Sequence, residues 1–170
     1  PLTEHYEPME SPVVNLLNSQ KVNPASVILK TEGNQFGSSG AFPYVATSYR
    51  VVEHWQAGAM TRNLPWLTEL VPDMFCEISP TLAKEKGIKN GDKVKIISAR
   101  GDIEAYALVT NRVQPFNING KKVEMVGMVW HFGFGCAAHG DSCNQLTPNI
   151  GDANTMIPEF KAFLVNIKKA

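Results

Sequence analysis

The alternation Lys93-Val94-Lys95-Ile96-Ile97-Ser98 stands between two glycine-containing turns, Asn90-Gly91-Asp92 and Arg100-Gly101-Asp102. Apolar and polar side chains repeating at period two fit a strand with one buried face, whereas a helix would scatter them around its axis. The second turn returns the chain into Ile103–Thr110, so this stretch is a hairpin. Just ahead, Phe75–Ile78 reads as a strand. Ser79 can cap a helix that begins at Pro80 and stops at Gly87. Leu82 and Ala83 then face the core, and Lys84, Glu85 and Lys86 face water.

The remaining elements are short. Phe42–Thr47 reads as a buried strand, Ser48–Ala59 as a loop or single helical turn, and Leu64–Leu70 as a short helix. Asn119-Gly120 is a turn ahead of a strand over Lys122–Val129, and Ala162–Ile167 closes the chain as a strand. Residues 133–146 are glycine-rich and irregular. Short strands, few helices and long loops indicate a mainly β chain and a β-barrel rather than a doubly wound sheet. Residues 1–40 read as an extended lead-in punctuated by Pro8, Pro12 and Pro24, with loops at Gly33-Asn34 and Gly37–Gly40. The run Ala25–Leu29 is a short strand or packed linker. The domain proper is expected over 41–170, and the start at Pro1 suggests an excised piece of a longer protein.

Sixteen basic and sixteen acidic side chains cancel, which gives no electrostatic case for nucleic acid or an anionic membrane. The longest apolar runs fall well short of a bilayer span, and no secretion signal is visible. Three cysteines, Cys76, Cys136 and Cys143, make no compact ligand spacing for zinc or an iron–sulfur cluster. They read as ordinary thiols, and no metal ligand is expected here. Walker and nucleophile-elbow motifs are absent. Glu77, Asp92 and Glu104 sit in strand or hairpin contexts, where solvated charges are the default.

Three polar clusters remain. The run Thr47–Arg62 carries hydroxyls, two arginines, His54, Trp55 and a glycine just after a strand, the groups a pyrophosphate requires. Its blander reading is a surface loop with an Arg50–Glu53 pair and a packed Trp55. Trp130–Cys136 interleaves aromatics with glycines and suits a flat ring, while His131 and His139 lack partners at ligand spacing. Asn144–Asn149 and Gly151–Asn154 offer amides and carboxylates for a heterocycle edge, though the same residues also make ordinary turns.

Together these segments resemble the dimethyl-sulfoxide-reductase superfamily. Tyr-Arg-Val-Val-Glu-His-Trp and Gly-Ala-Met-Thr-Arg, within 47–62, are similar to its cofactor loop. Glu77 through Val94, followed by Ser98-Ala-Arg-Gly, resembles its C-terminal double-psi β-barrel. The opening Pro1–Pro12, the link Val113–Glu124 and the endings Leu146–Asn154 and Pro158–Ile167 look like the respiratory formate dehydrogenases.

The resemblance implies a double-psi β-barrel capping a bis(molybdopterin guanine dinucleotide) cofactor that carries molybdenum or tungsten. Matched to the family's loops, Thr47, Arg50, His54, Thr61 and Arg62 are candidates in the first loop. Asn144, Thr147, Asp152, Asn154 and Lys161 are candidates near the pterin, and His131 and Gly133 lie in the aromatic loop. It further implies two-electron chemistry on formate or carbon dioxide, catalytic residues and iron–sulfur cysteines in upstream parts, iron–sulfur clusters only in other parts of the assembly, and an iron–sulfur electron-transfer subunit as partner. The isolated chain is expected to be inactive, and a periplasmic location follows from the same likeness. Alternatives are a nitrate reductase-like oxidoreductase and a cofactor-free interaction module.

Overall fold

A computed structural model describes residues 10–13, 36–152, 154–158 and 161–170. The lead-in signals at Pro8, Pro24, Ala25–Leu29 and Gly33-Asn34 lie outside the described residues, as does Ala153. Among the described residues the strands and α-helices run in the order β1 (Tyr44–Tyr49), α1 (Pro65–Leu70), β2 (Phe75–Ile78), α2 (Pro80–Lys86), β3 (Lys93–Ile97), β4 (Asp102–Val109), β5 (Phe116–Ile118), β6 (Lys121–Val123), β7 (Met125–Val129) and β8 (Phe163–Lys169).

Six strands close into a barrel in the order β1-β7-β2-β4-β3-β8, and β5 and β6 form a separate hairpin. β1 runs parallel to β7, and β2 parallel to β4, while the other neighbours are antiparallel. The mainly β barrel with short helices is therefore the architecture of this chain. Closure removes sheet edges, so the inward row of every strand can be fully apolar. Val94 and Ile96 of β3 face Ile103 and Ala105 of β4 and Ile167 of β8 in a core where each is at most 3% exposed. The alternation over residues 93–98 pointed to this row directly.

Helix α2 follows its local signals. The Ser79 hydroxyl accepts a hydrogen bond from the Leu82 amide at 3.0 Å, Pro80 opens the first turn, and Gly87 ends it at φ 66°. The same hydroxyl donates to Glu124 Oε2 at 2.6 Å, and Thr81 Oγ1 donates to Oε1 at 2.6 Å. Burial pushes the Glu124 carboxyl up, but Lys122, Ser79 and Thr81 outweigh it and hold the group below its ordinary value. Ser79→Ala removes the helix cap and one of these donors together. We expect a loss of about 1–2 kcal/mol, read as a lower urea midpoint at constant slope. A loss under about 0.5 kcal/mol would contradict this role.

Glu124 also explains where the chain departs from its sequence pattern. A single strand was expected over 122–129, but the chain breaks at this buried carboxylate. Residues 121–123 pair with β5, a strand that the pattern did not signal, and 125–129 enter the barrel. β1 begins and ends two residues later than the expected strand because its partners on β7 run from Met125 to Val129. Glu77, expected to be solvated, is 5% exposed. Its carboxylate accepts a hydrogen bond from Arg112, whose long side chain reaches in from the surface.

Candidate functional site

The first polar cluster leaves the end of β1 and lies over the loop that follows β7. Two buried side chains hold these loops together. His131, 0% exposed, accepts the Val51 amide on Nε2 at 2.9 Å. That bond fixes the proton on Nδ1, which donates to the Gln56 carbonyl at 2.6 Å. Burial lowers the affinity of His131 for a second proton; the Gln56 carbonyl opposes this, while His54 and Arg50 reinforce it. The ring is thus a neutral clamp between the two loops.

Arg62 is the second clamp. Its guanidinium is 3% exposed, and Nη1 donates to the carbonyls of Gly133, Gly135 and Ala138 at 3.2, 2.9 and 3.2 Å. Backbone amides of Ala137 and Ala138 return to the Arg62 carbonyl at 3.1 and 3.0 Å, so the aromatic–glycine loop wraps around this residue. No carboxylate accompanies the buried cation among the described residues, and its Nε has no hydrogen-bond partner.

His54 is 3% exposed and bonded through Nε2 to the Val71 carbonyl at 2.9 Å, with its ring edge-on to Phe132. Thr61 Oγ1 accepts the Trp55 amide at 3.0 Å. These candidates, with Gly133, therefore belong to the framework of the loops rather than to their outer surface.

Above that framework a cleft of about 200 Å³ is lined by Ser48, Arg50, Trp130, Asn144 and Lys161. Arg50, Asn144 and Lys161, from three distant segments, thus meet in one place. The Arg50 guanidinium lies 5.4 Å from the Trp130 ring centroid and donates to Gln56 Oε1 at 3.3 Å, rather than pairing with Glu53. Lys161 Nζ donates to the Ser48 carbonyl and, at 3.1 Å, to its hydroxyl. Two cations, a hydroxyl, an amide and an indole face the cleft, and among the described residues no carboxylate does. A larger hollow of about 250 Å³ beside β4 carries Asp73, Glu104 and Asp141 against Lys93, which is unsuited to an anion.

The other candidates lie around the rim or elsewhere. Thr147 is buried and donates to the Asn144 carbonyl at 3.1 Å, shaping the turn that presents Asn144. Asp152 Oδ1 accepts the amides of Asn154 and Thr155 at 3.0 and 2.9 Å, an aspartate turn that leaves Asn154 exposed. Neither Asp152 nor Asn154 lines the cleft. Thr47 points away from Ser48 across β1, opposite Gly127 on β7. Ser48 and Trp130 were not singled out as binding residues. Period-two counting from Tyr44 and Ala46 puts Ser48 at the polar end of an inward row, a usable signal. Among the described residues no group of three or more His, Cys, Asp or Glu is placed to hold a metal ion.

Comparison with known proteins places the chain in a family. The family described as the molydopterin dinucleotide binding domain matches residues 44–164. The chain is 50% identical over 172 residues to the formate dehydrogenase subunit alpha of Megalodesulfovibrio gigas, covering 100% of this chain and 17% of that protein. It is 47% identical over 173 residues to the nitrate-inducible formate dehydrogenase major subunit of Escherichia coli K12, again 100% of this chain and 17% of the relative. Acetylene hydratase from Pelobacter acetylenicus superposes with a TM-score of 0.63 at 12% identity, over 78% of this chain and 19% of that one, a likeness of fold alone. The chain spans about a sixth of the length of these curated relatives, given the 17% coverage of each.

Proposed function

This chain belongs to the molydopterin dinucleotide binding domain family, and from that premise we propose that it is the cofactor cap of a formate dehydrogenase catalytic subunit. The ligand is the bis(molybdopterin guanine dinucleotide) group with molybdenum or tungsten. The observation that carries the reading is the cleft that brings the Arg50 guanidinium and the Lys161 ammonium together, with no carboxylate beside them among the described residues. Phosphates entering a partly buried site need guanidinium, ammonium and neutral donors to replace water.

Arg50 and Lys161 take phosphate oxygens, Ser48 and Asn144 donate to them or to a heterocycle edge, and Trp130 offers an apolar wall. Trp55, 60% exposed, is a stacking surface rather than a packed core residue. His54, Thr61, Arg62, His131 and Gly133 hold the loops in register, while Thr147 and Asp152 shape the turns bearing Asn144 and Asn154. Thr47 contributes a hydroxyl on the far side of β1. The bound group supplies the two-electron chemistry that interconverts formate and carbon dioxide; these residues supply its position and its electrostatic surroundings.

The rest of the reading concerns the longer protein. Catalytic residues lie on upstream domains of the subunit, electrons leave through an iron–sulfur subunit, and the assembly is respiratory and periplasmic. An unpartnered apolar surface supports packing against further protein. α1 buries none of its residues, and Trp66, Leu70, Met60 and Phe134 are 84%, 68%, 69% and 105% exposed. No helix among the described residues is long and apolar enough to cross a membrane.

In the full-length protein, Arg50→Ala and Lys161→Ala are each expected to weaken dinucleotide retention by about 1.5–3 kcal/mol. Pterin content and formate-dependent dye reduction should fall together, while the thermal midpoint of the cofactor-free protein hardly moves. Unchanged pterin content in both variants would refute the cleft assignment. Full pterin content without formate activity in the parent protein would shift the substrate to another member of the superfamily, such as a nitrate reductase-like enzyme.

A further inference from the structure

The cleft residues Asn144 and Lys161 sit on irregular segments, and something must fix those segments in space. Behind them lies a buried ion pair that the sequence did not mark. Glu10 is 3% exposed, and its carboxylate and the Arg100 guanidinium have side-chain exposures of 0% and 4%. The contact is a two-pronged fork: Arg100 Nη1 donates to Oε1 at 2.5 Å and Nη2 to Oε2 at 3.0 Å. Glu10 also accepts the Gly37 amide on Oε1 and the Leu164 amide on Oε2, the latter at 2.6 Å. Arg100 Nε donates to the Leu146 carbonyl at 2.8 Å.

These contacts reach both cleft segments. Leu146 ends the short 3-10 turn Cys143–Gln145, which bears Asn144. Leu164 lies in β8, three residues beyond Lys161. The hairpin turn at Gly101 packs against the same 3-10 turn, since a Cβ at Gly101 would lie 3.4 Å from the Gln145 carbonyl. Neither Glu10 nor Arg100 lines the cleft itself.

We propose that Glu10 and Arg100 are positioning residues for the cofactor cleft, locking the Asn144 turn and the Lys161 segment through one buried carboxylate–guanidinium fork. The inference rests on the cofactor reading above and adds to it that retention depends on a residue of the lead-in, far from the ligand in sequence. A buried fork suits this task because its planar, two-pronged geometry tolerates little displacement.

The test uses the full-length holoprotein. Glu10→Gln preserves shape but removes the charge, and Arg100→Lys preserves the charge but loses the fork and the Leu146 contact. Ser79→Ala, which weakens the helix cap away from the cleft, serves as a matched destabilised control. Rates of pterin release are compared at temperatures set an equal interval below each variant's own midpoint. Both fork variants are expected to release pterin on the order of tenfold faster than the control under those conditions, as small displacements of contact groups commonly cost. Equal release from the fork variants and the control overturns the proposal and leaves the pair a plain stabilising contact. Should Arg100→Lys fail to fold, Glu10→Gln decides the matter alone. Absence of pterin from the parent protein overturns the cofactor reading instead, and this inference with it.

Discussion

Arg62→Ala is expected to destabilise the chain by about 3–5 kcal/mol, because buried carbonyls that lose their donor each carry a desolvation cost of about 1–3 kcal/mol. The guanidinium serves Gly133, Gly135 and Ala138 at once, and water cannot take its place at a site that is 3% exposed. Arg62→Lys should recover only part of the loss, since one ammonium cannot span the same carbonyls. Arg50, by contrast, is exposed and bonded weakly to Gln56 at 3.3 Å. Its replacement by alanine should stay within about 0.5 kcal/mol of the parent in stability. Two arginines of one loop are thus separated, one acting on folding and the other on ligand retention. Chemical denaturation of the purified chains measures the difference, and equal losses would contradict the separation.

Gly58→Ala should be comparably severe. Gly58 has φ +78°, and a Cβ there would lie 2.3 Å from the His131 carbonyl oxygen and 2.7 Å from Arg62 Nε. Both neighbours are fixed: His131 by its two ring hydrogen bonds and Arg62 by its carbonyls. Neither can retreat without releasing a loop, so the cost is on the order of 3 kcal/mol or more. Gly91 isolates the backbone contribution, because its φ is +84° and a Cβ there would meet nothing within 4 Å. Gly91→Ala should therefore cost only about 1 kcal/mol, the left-handed strain by itself. The same denaturation series reads both, and similar losses for the two would show that the crowding at Gly58 is relieved easily.

Much of the fold could be read locally. Ser79, Pro80 and Gly87 bound α2 because capping chemistry involves neighbours within one turn. The β3–β4 hairpin was legible for the same reason, its register being set by a short turn. The break at Glu124 was not legible, since its partners Ser79 and Thr81 lie more than forty residues away in sequence, at separations of 45 and 43. Glu10 is an extreme case, with its Leu164 contact 154 residues distant. The candidate site divides along the same line. Residue type named Arg50 and Asn144 as anion or edge binders and the family resemblance added Lys161, but only barrel closure brings them to one cleft. Type alone could not tell Arg62 from Arg50, because burial depends on how the loop after β7 folds back.

Whether this chain holds the nucleotide end of a pterin cofactor is decided by what the full-length protein releases in acid. The full-length protein would be purified natively, acid-treated, and assayed for released guanine nucleotide and pterin beside metal quantification. The parent should yield both organic products with molybdenum or tungsten, and the double variant Arg50→Ala, Lys161→Ala should yield far less, while the cofactor-free forms of the two share one thermal midpoint. No guanine nucleotide from the parent protein, or equal yields from parent and variant, would contradict the claim.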